Sequence, residues 1–413
     1  MRIGIFTDTY PPYINGVSTS ISMLENALRK KGHSVYIITV NPENMSYNFE
    51  DNDRVIRIPG IPIGIYDYRL TGIYPIKAVN KIKELNLDII HSHTEFGVGT
   101  FARIIAKQFD IPLVHTYHTM YEDYIHYITH GYFDKPSKKI VEYLTKFYCD
   151  KTAKELIVPT EKTFKLFKEK YQYDRNVHII PTGIEIEKFY KEKMNVDKLN
   201  KLKKELNIGK DDTVLLFVGR IAEEKSIDVL IRSQIEICKK HKNVKLLIVG
   251  DGPNLEDYIN MTKEYKIENN VIFTGKVAWK DIAKYYNISN IFVTASHTET
   301  QGLTLIEAMA ASLPVVALND ESFKNVVIND LNGYLFNDEE EYKKYVLDLV
   351  KDRKKREKLG NQARINSETY SSKYYAERVL DVYYKAIGGR PTKKKKTFLE
   401  KLKKVVKSGL NGE

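Results

Sequence analysis

Forty residues at the start of the chain already complete a strand, a loop, a helix and a second strand. Arg2 to Thr7 is a short apolar β run, followed by the loop 8–16, DTYPPYING. A helix is predicted from about Ser18, with Ile21, Leu24 and Leu28 on one face and Gly32 at its end. Ser34 to Val40 (SVYIITV) is the next β run. Two strands joined by one helix over this distance indicate a right-handed crossover and a parallel sheet.

The alternation persists. Asp88 to His91, Leu113 to Thr116, Leu156 to Pro159 and Val177 to Pro181 are further strand candidates, after which 181–212 becomes charged and weakly patterned. A second β/α series follows at Thr213 to Val218, Lys245 to Val249, Val271 to Thr274, Ile291 to Ala295 and Leu313 to Ala317. At about 150 residues per domain, 413 residues make two or three domains. We divide the chain into two doubly wound α/β domains, 1–185 and 186–371, a helix over 372–389, and a tail over 390–413. The pattern of the helix, clearest from Ser372 to Ile387, allows it to pack on either domain, and we assign it to the N-terminal one. Open parallel sheets bind ligands outside the carboxyl ends of their strands, so the informative residues are those that follow strands.

Several function classes are excluded early. The cysteines, Cys149 and Cys238, lie far apart with no CxxC spacing. That rules out a disulfide scaffold and a cysteine zinc site, and it fits a reducing cytosol. No apolar run approaches the roughly 18 residues of a membrane span, and the N-terminus turns polar too soon for a signal peptide. The chain is therefore expected to be neither secreted by that route nor integral; its basic tail, 390–413, is what would place it peripherally at the cytoplasmic face of the cell membrane. The net charge of +11 is uneven: residues 390–413 hold nine Lys and Arg against Glu400 and Glu413, giving +7.

After the strand Thr213 to Val218, the segment GRIAEEKS places Arg220 and Lys225 five residues apart. An arginine can fork two phosphate oxygens while a lysine adds a point charge. Alone, the segment reads as two solvated cations in a loop. After the strand Ile291 to Ala295 comes SHTETQGLTLIEAMA, in which Gly302 precedes a helix whose free amides attract phosphate. Glu299 lies on the loop above that helix and Glu307 about a turn and a half inside it. Two carboxylates beside a phosphate site repel it unless they grip something neutral and hydroxylated. A sugar on one side and a ribose on the other satisfy both, which points to a sugar nucleotide. A pair of structural surface glutamates is the alternative.

GRIAEEKSID, the GDGP of Gly250 to Pro253, the VIFTGKV of Val271 to Val277 and the E-x7-E from Glu299 to Glu307 together resemble the retaining GT-B glycosyltransferases of family 4. The resemblance runs from Met1 to about residue 389. It implies two Rossmann-like domains facing a central cleft and closing over the donor, a UDP-sugar as substrate rather than cofactor, and no bound metal. It further implies that Arg220 and Lys225 neutralise the donor diphosphate, that Glu299 binds donor-sugar hydroxyls, and that Glu307 holds the ribose. The amides of Gln301, Gly302 and Leu303 would touch sugar and phosphate, and backbone at Lys276 and Val277 would meet the base. Gly16 would approach the diphosphate from the other domain. His118 matches the position whose imidazole reaches the donor sugar and reaction centre, completing a catalytic set with Arg220, Lys225 and Glu299.

The first domain is left to the acceptor. Its polar segments HSHTEF (91–96) and HTYHTMYEDY (115–124) hold four of its histidines, and six of the ten histidines lie between 91 and 130. We take Asp8, His93 and Tyr121 as its acceptor side. A metal site is an alternative, but no HxxxH with a third ligand is obvious. Ordinary buried, hydrogen-bonded histidines are another alternative, above all for His91 and His115. HTEFGVG at 93–99 and HTMYEDYIHY at 118–127 resemble, more narrowly, the bacterial 1,2-diacylglycerol 3-glucosyltransferases, which imply UDP-glucose as donor and diacylglycerol as acceptor. A different acceptor (glycolipid or polysaccharide), UDP-galactose, a nucleotide-sugar epimerase and a non-catalytic membrane scaffold remain open at this point.

In the tail, Phe398, Leu399, Leu402, Val405, Val406 and Leu410 form one helical stripe with lysines opposite. A basic amphipathic helix of this kind is expected to lie on an anionic membrane surface. Nucleic acid is not an expected partner, because the tail lacks interleaved aromatics and the body has no recognition motif. Arg69 to Lys83 (RLTGIYPIKAVNKIK) mixes aromatic, apolar and basic residues and is a second candidate for the lipid surface.

Overall fold

The computed structural model describes residues 1–13, 15–51, 54–62, 69–72, 74–95, 97–118, 153–297, 299 and 301–388. Tyr121, Cys149 and the tail 390–413 lie outside the described residues. The chain forms two compact units, one from residues 1–184 with the helix Ser372–Ala386, the other from residues 185–371.

The first unit contains the strands β1 (Arg2–Phe6), β2 (Ser34–Val40), β3 (Asn48–Glu50), β4 (Val55–Ile58), β5 (Gly60–Pro62), β6 (Arg69–Thr71), β7 (Ile89–Ser92), β8 (Leu113–Thr116), β9 (Glu155–Val158) and β10 (Val177–Ile179). Eight of them build one sheet in the order β10-β9-β8-β7-β1-β2-β4-β3. Every neighbouring pair is parallel except β3 with β4, and β5 and β6 pair separately. The order in which successive strands are added reverses between the parallel neighbours β1 and β7, so the loops after these two strands meet at a topological switch point.

The central strands β1, β7 and β8 are short and almost wholly buried because both faces are covered. On one face, Ile21, Leu24 and Leu28 of the helix Gly16–Lys30 pack with Tyr375, Val379 and Tyr383 of the helix Ser372–Ala386. On the other, Phe101 and Ile105 of the helix Gly97–Gln108 cover Phe6, Ile38 and Ile90. Burying one such side chain contributes about 1.5–3 kcal/mol before chain entropy is counted.

The second unit has one parallel sheet of β11 (Thr213–Val218), β12 (Val244–Val249), β13 (Val271–Phe273), β14 (Ile291–Thr294), β15 (Val315–Leu318) and β16 (Gly333–Phe336). Their order is β13-β12-β11-β14-β15-β16, and the reversal falls between β11 and β14. The two doubly wound sheets are the architecture expected from the sequence.

Five strands, β3, β4, β5, β6 and β16, escape the sequence pattern. In β4, the charged Arg57 interrupts a four-residue run, yet it is buried, with Nε donating to Glu50 and a terminal nitrogen to the Pro11 carbonyl. In β16, Asn332-Gly333 reads as a turn. A Cβ at Gly333 would come within 2.1 Å of the Val315 carbonyl oxygen, so the glycine is there for close strand approach.

Candidate active site

In the second unit the chemistry gathers at the reversal between β11 and β14. β11 delivers Gly219, Arg220 and Ile221, a single 3-10 turn Glu223–Lys225 follows, and the helix Ile227–Lys240 leads away. β14 delivers Ser296 and Glu299, and Gly302 caps the helix Leu303–Ala310. Although 74 positions apart, Lys225 and Glu299 are joined by an ion pair of 2.5 Å. The fully buried Ser296 braces it, donating to the same Glu299 oxygen at 3.1 Å. Ser322 fixes the Glu299 backbone by donating to its carbonyl at 2.6 Å. Arg220 is paired with Glu224, four residues on, while staying exposed enough to meet a ligand.

The GDGP motif supports these loops. Gly250 has φ +151°, and a Cβ there would lie 1.8 Å from the Gly219 carbonyl oxygen. A Cβ at Gly252 would lie 2.1 Å from that of Ile221. Ile221 donates its N–H to the Asp251 carbonyl, and Gly250 donates its own to Gly275, next to Lys276 and Val277. Three motif loops are thus held together backbone to backbone. Lys276 is exposed and Val277 half-buried on the loop after β13.

Gly302 has φ +70°, and a Cβ there would meet the Phe323 ring at 2.5 Å. Both the left-handed turn and the closeness of the ring require glycine. The turn leaves the first amides of the helix, from Leu303 on, facing away from any helical partner. Gln301 is buried beside them. Inside the helix, Glu307 is 4% exposed and accepts a 2.6 Å hydrogen bond from the Tyr286 hydroxyl. Burial pushes its carboxyl up from 4.5 to about 7, against the pull of that bond and of Lys188.

In the first unit the loops after β1, β7 and β8 come together. Asp8, after β1, accepts from the Val98 amide at 2.9 Å and so caps the helix Gly97–Gln108, and its own N–H donates to Thr94. Burial pushes its carboxyl up. Asp8, expected on the acceptor side, thus also ties the first strand to this helix. Gly16 is the first residue of the helix Gly16–Lys30, capped by the Asn15 side chain, and a Cβ on it meets no atom within 4 Å.

Four of this unit's described histidines, His91, His93, His115 and His118, gather at this point. His115 donates through Nε2 to Glu95 at 3.0 Å and therefore receives the Ser92 hydroxyl at Nδ1, 2.8 Å away. His91 shares hydrogen bonds with Tyr383 at 2.7 Å and Thr116 at 2.6 Å. His93 Nδ1 lies 2.8 Å from His118 Nε2. Burial lowers the basicity of all four, and that of His118 falls to about 4. Uncharged imidazoles can therefore pack together here at neutral pH. His91 and His115 have the fully bonded, interior environment of structural histidines, whereas His118 is only partly buried. Among the described residues no three His, Cys, Asp or Glu side chains are grouped to hold a metal ion.

Sequence reasoning passes over Glu224, Ser296, Tyr286 and Phe323. Only Glu224 leaves a trace, in its i,i+4 spacing from Arg220. The other three sit in apolar or small-residue surroundings with no pattern of their own.

Residues 14–188 match the family described as Glycosyltransferase Family 4, and residues 199–366 the family described as Glycosyl transferases group 1. The chain is 36% identical over 392 residues to an alpha-monoglucosyldiacylglycerol synthase of Acholeplasma laidlawii, covering 93% of this chain and 96% of that protein. It is 35% identical to an alpha-monoglucosyldiacylglycerol synthase of Streptococcus pneumoniae, covering 94% of this chain and 86% of that one. Among solved structures, Anabaena HepE in complex with UDP and glucose matches with a TM-score of 0.70 at 17% identity, over 93% of this chain and all of that one. The fold, the ordered motif loops and relatives of this similarity lead to one family: the chain belongs to the GT-B glycosyltransferases of family 4.

Proposed function

We propose that the protein transfers glucose from UDP-glucose to the 3-hydroxyl of 1,2-diacylglycerol, with retention and without a metal, at an anionic membrane surface. The observation that carries this is 36% identity over 93% of the chain to a synthase whose name states the product. The charged set at the β11–β14 switch point supports a nucleotide-sugar donor. Arg220, Lys225 and the amides that open the helix at Leu303 would take the diphosphate, and Glu299 the sugar hydroxyls. A carboxylate such as Glu307, buried on that helix, suits ribose hydroxyls. As the sugar–phosphate bond breaks, charge grows on the diphosphate, and preorganised cations and amides typically lower such a barrier by several kcal/mol. In a same-face reaction the acceptor hydroxyl passes its proton to the departing phosphate, and His118 steadies the sugar.

The test is incubation of the purified protein with diacylglycerol vesicles and labelled UDP-glucose or UDP-galactose, in excess EDTA, followed by lipid extraction and assignment of the anomer. A label that enters an α-glucosyl lipid from UDP-glucose alone bears the proposal out. Label released only as free sugar, or taken from UDP-galactose, overturns it.

No described helix is long and apolar enough to cross a membrane. Two surfaces are proposed for the lipid. One is the tail stripe, which rests on its sequence. The other is the segment around the helix Ile76–Glu84, where Ile61, Tyr74 and Ile76 are 57%, 43% and 66% exposed and Lys77 lies beside them. Deleting residues 393–410 is expected to weaken co-sedimentation with anionic vesicles while UDP binding is kept. Binding of the intact protein should fall with salt, because charge is screened over about 8–10 Å at physiological ionic strength, and should level off at an apolar remainder. Equal sedimentation of the truncated protein would shift the contact to residues 69–83.

A further inference from the structure

His93 and His118 follow the neighbouring strands β7 and β8, and their rings are 5.1 Å apart between centroids. The 2.8 Å between His93 Nδ1 and His118 Nε2 is a hydrogen bond, so one of these nitrogens carries a proton and the other accepts it. Burial keeps both rings uncharged at neutral pH, which leaves a single proton in the contact.

The far end of His93 decides which ring owns that proton. His93 is 1% exposed, and its Nε2 has no hydrogen-bond partner among the described residues. The imidazoles of His91 and His115 offer none, because both nitrogens of each are already engaged. If His118 donated, His93 would have to carry its own proton on Nε2, as a buried N–H with nothing to receive it. Folded proteins avoid such orphaned donors more strictly than unfilled acceptors. If His93 donates through Nδ1, its Nε2 is a bare lone pair and no donor is stranded.

We infer that His93 is a positioning residue that donates its Nδ1 proton to His118 Nε2 and so locks His118 in the tautomer protonated on Nδ1. His118 Nδ1 has no partner among the described residues. The ring then offers a hydrogen-bond donor and no free accepting nitrogen. It can hold a sugar oxygen, but it cannot take the proton of an acceptor hydroxyl. The catalytic consequence rests on the proposed place of His118 at the donor sugar, whereas the tautomer does not.

The experiment is long-range 1H–15N imidazole NMR of the full-length protein labelled at histidine, with the His118 signals identified by their loss in His118→Ala. The expected spectrum places the His118 proton on Nδ1, in the wild type and in His93→Asn, whose amide can donate from the same position. In His93→Leu the proton should move toward Nε2, the form imidazole prefers in water. Turnover should then fall about tenfold or more, as expected for a wrong tautomer, with UDP affinity kept. His93→Asn should recover most of that loss. A wild-type spectrum with the proton on Nε2, or a His118 tautomer unchanged in folded His93→Leu, overturns the inference. Should His93→Leu fail to fold, the wild-type spectrum decides. If the tautomer is as inferred but His118→Ala keeps full turnover, the place of His118 at the sugar fails and the tautomer lock stands.

Discussion

Replacing Lys225 by alanine should lower turnover about a hundredfold, a loss of roughly 3 kcal/mol of transition-state stabilisation. The ammonium is proposed to face the diphosphate as the bond to the sugar breaks, when the charge on that group is greatest. The fold should hardly notice. Lys225 is tied to Glu299 by a single partly solvated ion pair, and such pairs contribute up to about 1 kcal/mol. Ser296 still donates to Glu299 when the lysine is gone. The thermal midpoint should therefore shift by a few degrees at most. Steady-state kinetics beside a melting curve checks both halves, and wild-type turnover in a folded Lys225→Ala protein would remove Lys225 from the mechanism.

A second large effect has the opposite sign for stability and for binding. Glu307 titrates near 4.5 when unfolded and at about 7 in the folded protein, because burial disfavours its charge. A group whose folded pKa is raised contributes stability that is complete below 4.5 and is lost as pH rises through 7. Glu307→Gln has the same shape and nothing to ionise, and its carbonyl can still accept from Tyr286. Its melting temperature should match the wild type near pH 4.5 and exceed it at pH 8. The gap corresponds to about 3 kcal/mol at most, from 1.36 kcal/mol per pK unit. UDP affinity should fall in the same variant, since a neutral amide accepts ribose hydroxyls less strongly than a carboxylate. Melting curves from pH 4.5 to 8 with UDP titration at pH 8 test this. A melting gap that does not change with pH would show that Glu307 is ionised throughout.

The two effects come from residues of different legibility. Arg220, Lys225, Glu299 and Glu307 are visible in the chain as charged groups placed just after strands and around a helix start. That arrangement is readable because parallel strands expose ligands at their carboxyl ends whatever the fold's details. The partners that set their behaviour are not readable. Tyr286, which sets the environment of Glu307, sits in the apolar pattern of another helix and looks like core. Ser296 is one small residue among several. The bond from the Val98 amide, by which Asp8 caps a helix, is likewise invisible in the chain. Hydrogen bonds between residues far apart in sequence leave no periodic signal, so no local pattern can announce them.

By itself the sequence determined the class of architecture, the division into two α/β units, and the loops where chemistry collects. Apolar period and strand–helix spacing are local properties, and a right-handed crossover between parallel strands follows from them. Strand order is another matter. Nothing local states that β11 lies beside β14, or β1 beside β7, since each chain reversal depends on which edge of the growing sheet a later strand finds. That choice brings Lys225 against Glu299 across 74 positions, and the pairing of β7 with β8 sets His93 against His118 across 25. The tertiary structure alone decided these meetings, because only long-range packing selects the edge on which a strand adds.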